Sequence, residues 1–469
     1  MDTSSKYQKR IMISAMESSS GKTTVSAALL KLFSEEGYRV SGIKCGPDYI
    51  DPMFHKFVTK DTSIGAKNAD LFLQGEDRVR ELIALEATKD LLIFEGAMGY
   101  YDGIGGTLEN SAYDIADRLD IPVLLILKPK GISTTLAALL KGMTDFVEDS
   151  HIKAVILNDC SRSLFLHLKP IIEERTGLEL LGYIPKIKEA RLLSRHLGLK
   201  LAGENKDLDK KLDLIVSELK ETVNTERLLE LSKAVEKSSC SIKIKRSKEA
   251  VKRPKIAIAC DSAFCFYYET SLRALEAAGA ELLYFSPLSH ERLPKDISGL
   301  YIGGGYPELH LKELSSNMSM MEDIREAIRQ GLPTIAECGG FIYLHDRVLD
   351  LNNKNTYDMV GIIRGKASYT GKLVSFGYID LENTSGTDNM LFKKGEKIAA
   401  HEFHYYDSEN NGEDLLATKP VGKRSYKNAY ISPSLYAGYP HLDLGGKYPL
   451  AERFVKRAVE YGIEHGKSL

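Results

Sequence analysis

Residues 16–24 read MESSSGKTT and directly follow the short apolar run IMISA at 11–15. A strand that runs into Gly-Lys-Thr and then opens an amphipathic helix, KTTVSAALLKLFSEEG, is the context in which a phosphate-loop match carries weight. Backbone N–H groups of this loop and the helix N-terminus would hold phosphate oxygens. The nucleotide-binding set is Ser18, Ser19, Ser20, Gly21, Lys22, Thr23 and Thr24, with Lys22 reaching the β and γ phosphates. Met16 stands where the usual pattern has its first glycine, which asks only that the first turn tolerate a side chain.

Outward from this loop, runs apolar on both faces alternate with helix-length segments: RVSGIKC (39–45), LLIFEG (91–96), PVLLILK (122–128), IKAVILN (152–158) and LELLGYIP (178–185). Such runs predict parallel strands joined by crossover helices, a doubly wound α/β sheet with ligands at the strands' carboxyl ends. KCGPDYIDP (44–52) places Asp48 in a Gly-Pro turn at one strand end, and Glu95 ends another strand. A buried carboxylate needs a partner, and Mg²⁺ held by Thr23, Asp48 and Glu95 would supply one, all through hard oxygen ligands. Asn158 closes a further strand with an amide able to read a base edge.

The chain has 469 residues, 43% hydrophobic and 27% charged, too many for one typical core. Lys+Arg of 63 against Asp+Glu of 65 leaves no basic field, so no nucleic-acid partner is expected. The polar MDTSSKYQKR start and the brief apolar run after it read as neither signal peptide nor membrane span, predicting a cytoplasmic protein. Residues 205–235 read as one long polar helix. The Lys-, Arg- and Ser-rich stretch 236–254 reads as a basic linker between an ATP-binding domain over 1–235 and a second α/β domain over 255–469. No internal repeat relates the two, and the six cysteines have no CxxC spacing.

In the second domain, TIAECGGFIYLH (334–345) puts Cys338 between an apolar strand and a helix, followed by two glycines. A tight strand-to-helix turn exposes a nucleophile, aims the helix N-terminus at it and offers the N–H of Gly339 to an oxyanion. YIGGGYPE (301–308) would add a second oxyanion donor near Gly304. For the base, His401 and His404 in HEFHYY compete with His441 in YAGYPHLDL. The spacing favours His441, because Asp443 two residues on would share its face in a strand and orient the ring.

A nucleotide site and a Cys–His acyl-transfer site on one chain suggest glutamine-driven amidation, in which one site frees ammonia and the other activates a carboxylate as an acyl phosphate. The motifs SSSGKTT, GPDYIDP, EGAMGYYDG, RHLGL (195–199), LYIGGGYPELH, AECGGFIYL and HEFHYY strongly resemble the cobyrinic acid a,c-diamide synthase family, in its order along nearly the whole chain. The resemblance implies a dethiobiotin-synthetase-like P-loop domain followed by a class I glutamine amidotransferase domain of the cobyric type. It implies ATP, glutamine and cobyrinic acid or a related tetrapyrrole as substrates, and leaves a homodimer open. By the same resemblance Lys44 and Asp102 lie near substrate or phosphate, Asn158 contacts adenine, Asp48 and Glu95 bind metal, and Cys338 and His441 are nucleophile and base. Asp443 stands where related chains have His or Glu. The alternatives are nickel-sirohydrochlorin a,c-diamide synthase and a P-loop switch ATPase; Glu17 occupies the position of the switch proteins' signature lysine, and they have no use for Cys338.

Overall fold

The computed structural model describes residues 6–190, the backbone of 194–195 and 198–199, and residues 207–237, 253–422 and 424–468. The chain forms two compact units, one of Met1–Leu71 with Val79–Ile242, the other of Phe72–Arg78 with Lys243–Leu469.

The first unit is built on β1 (Tyr7–Ala15), β2 (Val40–Cys45), β3 (Asn68–Ala69), β4 (Leu91–Glu95), β5 (Val123–Leu127), β6 (Ile152–Asn158) and β7 (Glu179–Ile184), in the order β3-β2-β4-β1-β5-β6-β7. All these pairings are parallel. Every residue of β2, β4 and β5 is buried, as covering both faces of a parallel sheet requires. The helices are α1 (Lys22–Glu35), α2 (Ile50–Thr59), α3 (Gly75–Leu85), α4 (Ala112–Leu119), α5 (Thr135–Asp145) and α6 (Arg162–Thr176). Helix α1 is buried at Val25, Ala27, Ala28, Leu29, Leu30, Leu32 and Phe33, which accounts for its apolar sequence. Gly42 lets α2 ride close on β2: a Cβ there would lie 2.6 Å from the His55 ring. A short antiparallel pair follows, β8 (Ser194–Arg195) with β9 (Gly198–Leu199).

The single helix expected over 205–235 is instead α7 (Leu208–Thr222), α8 (Thr225–Leu231) and a strand, β10 (Lys233–Glu236). Val223 is extended and bridges Gly182, and the Asn224 side chain starts α8 by accepting from Arg227 N–H at 2.9 Å. Strand β10 then pairs antiparallel with Tyr7–Arg10, beside the part of β1 that precedes its pairing with β5 at Met12. Tertiary pairing thus overrides local helix preference. Glu236 belongs to that strand, and most of the basic linker lies outside the described residues.

The second unit opens with β11 (Lys255–Ala259), α9 (Glu269–Ala277), β12 (Glu281–Phe285), β13 (Ile297–Ile302), α10 (Leu311–Ser316), α11 (Met318–Arg329), β14 (Thr334–Glu337) and α12 (Gly339–Tyr343). Next come β15 (His345–Leu349), β16 (Thr356–Asp358), β17 (Ile363–Tyr369), β18 (Ser375–Asn383), β19 (Lys397–His404), β20 (Tyr406–Ser408), β21 (Leu415–Thr418) and β22 (Ser425–Asn428). The chain ends with β23 (Tyr430–Ile431), β24 (Leu435–Gly438) and α13 (Leu450–Glu464). The main sheet runs β12-β11-β13-β14-β24-β23, parallel except at β23, and two four-stranded sheets, β16-β15-β17-β20 and β19-β18-β21-β22, accompany it. Among the described residues no helix is long and apolar enough to cross a membrane.

Candidate active sites

In the first unit the loop after β1 turns through left-handed backbone at Ser19 (φ 64°) and Gly21 (φ 99°). A Cβ on Gly21 would lie 2.2 Å from Asn158 Nδ2, so glycine is required for space as well as conformation. No side chain caps α1, although three serines precede it. Its first-turn N–H groups face the loop in the arrangement that suits a phosphate. Lys22 Nζ donates to the carbonyls of Glu17 (3.0 Å) and Met98 (2.6 Å), and burial, with Lys44 nearby, lowers it to about 8. Met16 packs its side chain against the core, which is how the loop accommodates it. Asn158 donates to Ser20 C=O at 2.8 Å and so braces the loop; an adenine contact would compete with this bond.

Glu95 is fully buried and forms the hub of this site. Its Oε1 accepts from Thr23 Oγ1 (2.7 Å) and Lys44 Nζ (3.0 Å), and its Oε2 lies 2.7 Å from His55 Nε2. Burial alone would raise this carboxyl, but Lys44 and His55 hold it well below the usual range. The partner expected from a metal is therefore already present in protein side chains. Lys44 also pairs with Asp51 at 2.6 Å, and the two carboxylates keep it charged despite burial. Asp51, partly buried and next to Asp48, is pushed upward by desolvation and by that neighbouring carboxylate. We take Glu95 as the member that holds the negative charge, since it has three donors.

Thr23 and Glu95 bring hard oxygens together, as Mg²⁺ prefers, while Asp48 Oδ1 caps α2 through the N–H of Ile50 (2.7 Å). Among the described residues no group of three or more His, Cys, Asp and Glu gathers as a metal cage. Asp102 Oδ2 accepts from Gly99 N–H at 2.8 Å and folds the loop whose Met98 carbonyl receives Lys22.

In the second unit Cys338 leaves β14 with φ 47° and ψ −98°, strained backbone of the kind found at nucleophile turns. The turn is fixed by Cys338 N–H to Gly438 C=O (2.8 Å) and Gly340 N–H to Gly303 C=O (3.0 Å). A Cβ on Gly340 would meet Ile302 C=O at 2.1 Å, one on Gly339 would meet Gly305 N at 3.0 Å, and one on Gly304 would meet His441 Cε1 at 2.5 Å. The two glycine-rich segments and His441 therefore close on one another. The helix beyond Cys338 spans only Gly339–Tyr343, so its dipole adds little, and burial pushes the thiol well up. His441 is lowered to about 3, again by burial. Burial thus favours the neutral form of both the thiol and the imidazole.

The orienting role expected of Asp443 requires correction. The His441 backbone forms an isolated bridge to His401, through mutual bonds of 2.8 and 3.1 Å, and the chain then turns instead of continuing as a strand. The Asp443 carboxylate accepts from Thr270 (2.7 Å), Ser271 (3.2 Å), Gln74 (2.9 Å) and Gly445 N–H (3.0 Å). The carboxylate beside His441 is Glu337, with Oε2 3.8 Å from Nδ1. Of the other histidines weighed as base, His404 hydrogen-bonds Tyr406 C=O through Nδ1 (2.6 Å) and stacks on Tyr439, while the His401 ring lies edge-on to Phe376 and Tyr378.

Sequence reasoning passed over Asp51 and His55, although their spacing of four residues after a strand-end acidic turn puts them on one face of α2. It also passed over Glu402, which is buried and accepts from Asn428 and Ser375, each at 2.5 Å, and from Tyr426. A carboxylate between two histidines in a strand-length run was the available signal. The RHLGL stretch falls largely outside the described residues.

Residues 11–199 match the family described as the CobQ/CobB/MinD/ParA nucleotide binding domain, and residues 255–448 the CobB/CobQ-like glutamine amidotransferase domain. Over 459 residues, 96% of this chain and 98% of the relative, it is 38% identical to a protein of Caldanaerobacter subterraneus subsp. tengcongensis named cobyrinate a,c-diamide synthase. Relatives of the same name from Clostridium tetani (37% identical, covering 96% of this chain and 100% of the relative) and Priestia megaterium (36%, 96% and 97%) agree with it. With a nucleotide-binding unit, a glutamine amidotransferase unit and likeness along almost its full length, the chain belongs to the cobyrinate a,c-diamide synthase family.

Proposed function

We propose that this protein is a cytoplasmic ligase that amidates the a and c acetate side chains of cobyrinic acid, with ATP as activating co-substrate and glutamine as nitrogen donor. The observation that carries the reading is the presence, on one chain, of a braced phosphate loop around Lys22 and a strained cysteine turn closed on His441.

At the second site the Cys338 thiol passes its proton to His441 as sulfur bonds to the carboxamide carbon of glutamine. The N–H groups of Gly339 and Gly304 hold the oxyanion, ammonia leaves with a proton returned by His441, and water cleaves the thioester to glutamate. At the first site Lys22 and the loop amides hold the triphosphate while a substrate carboxylate oxygen displaces ADP from the γ-phosphorus. Ammonia then displaces phosphate from the acyl phosphate to leave the amide. Mg²⁺, when bound by Thr23 and Glu95 with Asp48, supplies positive charge against the phosphate oxygens. Lys44 and His55 keep Glu95 ionised and fixed, Asp51 pairs with Lys44, and Asp102 shapes the loop that receives Lys22.

Incubating the purified chain with ATP, glutamine and either cobyrinic acid or nickel-sirohydrochlorin, followed by mass spectrometry, tests the substrate. Two successive carboxyl-to-amide changes on the corrinoid are expected. Conversion of the nickel macrocycle alone would overturn the assignment, and ATP turnover with neither would return the P-loop switch.

A further inference from the structure

Glu337 is the last residue of β14 and immediately precedes the nucleophile. It is fully buried. Its Oε1 accepts from Leu442 N–H at 2.9 Å, the residue next to His441, and its Oε2 accepts from Tyr301 Oη at 2.8 Å. The same Oε2 lies 3.8 Å from His441 Nδ1, too far for a formed hydrogen bond and near enough for charge pairing. The opposite edge of the ring faces the glycine loop: a Cβ on Gly304 would lie 2.5 Å from Cε1 and 3.3 Å from Nε2. The ring is thus presented with Nδ1 toward a carboxylate and Nε2 toward the oxyanion loop. Asp443, at the sequence position where an orienting acid was expected, has its oxygens engaged by Thr270, Ser271, Gln74 and Gly445.

We infer that Glu337 is the positioning residue of the glutamine site, holding His441 in its Nδ1–H tautomer and countering the positive charge that forms on the ring when the thiol is deprotonated. The role rests on the thiol–imidazole reading of Cys338 and His441. An acid supplied from the strand before the nucleophile, through a bond to the backbone of the base's own loop, fixes both partners with one side chain. Burial lifts the Glu337 carboxyl to about 8, as expected where the opposing ring is neutral at rest. A charged His441 would draw it back down, so the interaction strengthens only as the proton moves. Catalytic hydrogen bonds that are long at rest commonly shorten in this way.

The test is glutamine hydrolysis by the full chain carrying Glu337→Gln, beside Asp443→Asn and Cys338→Ala. Glu337→Gln is expected to lower kcat by about 100-fold with KM for glutamine within about threefold, as loss of a transition-state interaction demands. Ammonia-driven amidation should stay at the wild-type rate, and Asp443→Asn should keep kcat within about threefold. Equal kcat in Glu337→Gln, or the large loss appearing in Asp443→Asn instead, would overturn the inference while leaving Cys338 as nucleophile. Hydrolysis persisting in Cys338→Ala would sink the underlying reading as well. Should Glu337→Gln fail to fold, ¹⁵N-histidine spectra of the wild-type protein decide, with His441→Gln identifying the signal. An Nδ1-protonated ring supports the role, and an Nε2-protonated ring overturns it.

Discussion

At Cys338 the backbone occupies a state costing about 1–3 kcal/mol, and the surrounding bonds to Gly438, Gly303 and Ile342 hold it there. Burial favours the neutral thiol and the neutral His441 ring, so on the proposed reading the nucleophile is made during attack and is not stored as a thiolate. Because the thiol lies above its ordinary value, its thiolate fraction is small at neutral pH and grows as pH rises. Alkylation of Cys338 by iodoacetamide in the resting enzyme should accelerate about tenfold per pH unit from 7 to 9. A rate already level below pH 7 would show a preformed ion pair and contradict this picture. The residues proposed to carry this chemistry differ in how openly the sequence shows them. Cys338, Lys22 and Thr23 announce themselves through neighbouring glycines and the strand before them. Glu337 does not, because nothing along the chain tells that Leu442 and His441 will fold against the end of β14. Asp443 misleads for the same reason: its spacing from His441 suits a strand, and the chain turns there instead.

At the scale of elements, the parallel strands were legible because a strand covered on both faces is buried throughout and so runs mostly apolar, as β2, β4 and β5 do, with Lys44 and Glu95 paired to each other at their ends. Strand β10 was not, since its alternating half-exposed residues KAVE also suit the end of a polar helix. Its pairing depends on β1, more than two hundred residues away. The strands β15–β22, antiparallel except for the β15–β17 pair, were missed likewise, as their register is set by cross-strand partners and not by local periodicity. The turn from β14 to α12 is the element most exposed to substitution. Gly340→Ala puts a Cβ 2.1 Å from the rigid carbonyl of Ile302, so the turn must shift. Glutamine hydrolysis should fall by about 100-fold, as a misplacement near 1 Å at reacting groups does. Ammonia-driven amidation by the same variant should survive. Undiminished hydrolysis would mean that the turn does not set the nucleophile.

Across the whole molecule, the two proposed chemistries fall on two compact units. Glu95, Lys44, His55 and Thr23 form one network within the first unit, and in the second Glu337 lies between the Cys338 turn and His441. Loss of the nucleophile should therefore remove a nitrogen source and nothing else. The most direct measurement is corrinoid amidation by Cys338→Ala with ATP and either glutamine or ammonium chloride, read as amide formation by mass spectrometry, with Lys22→Ala in parallel. The account predicts that Cys338→Ala forms no amide from glutamine and wild-type amounts from ammonium, while Lys22→Ala forms none from either. Amide formed from glutamine by Cys338→Ala, or from ammonium by Lys22→Ala, would contradict it.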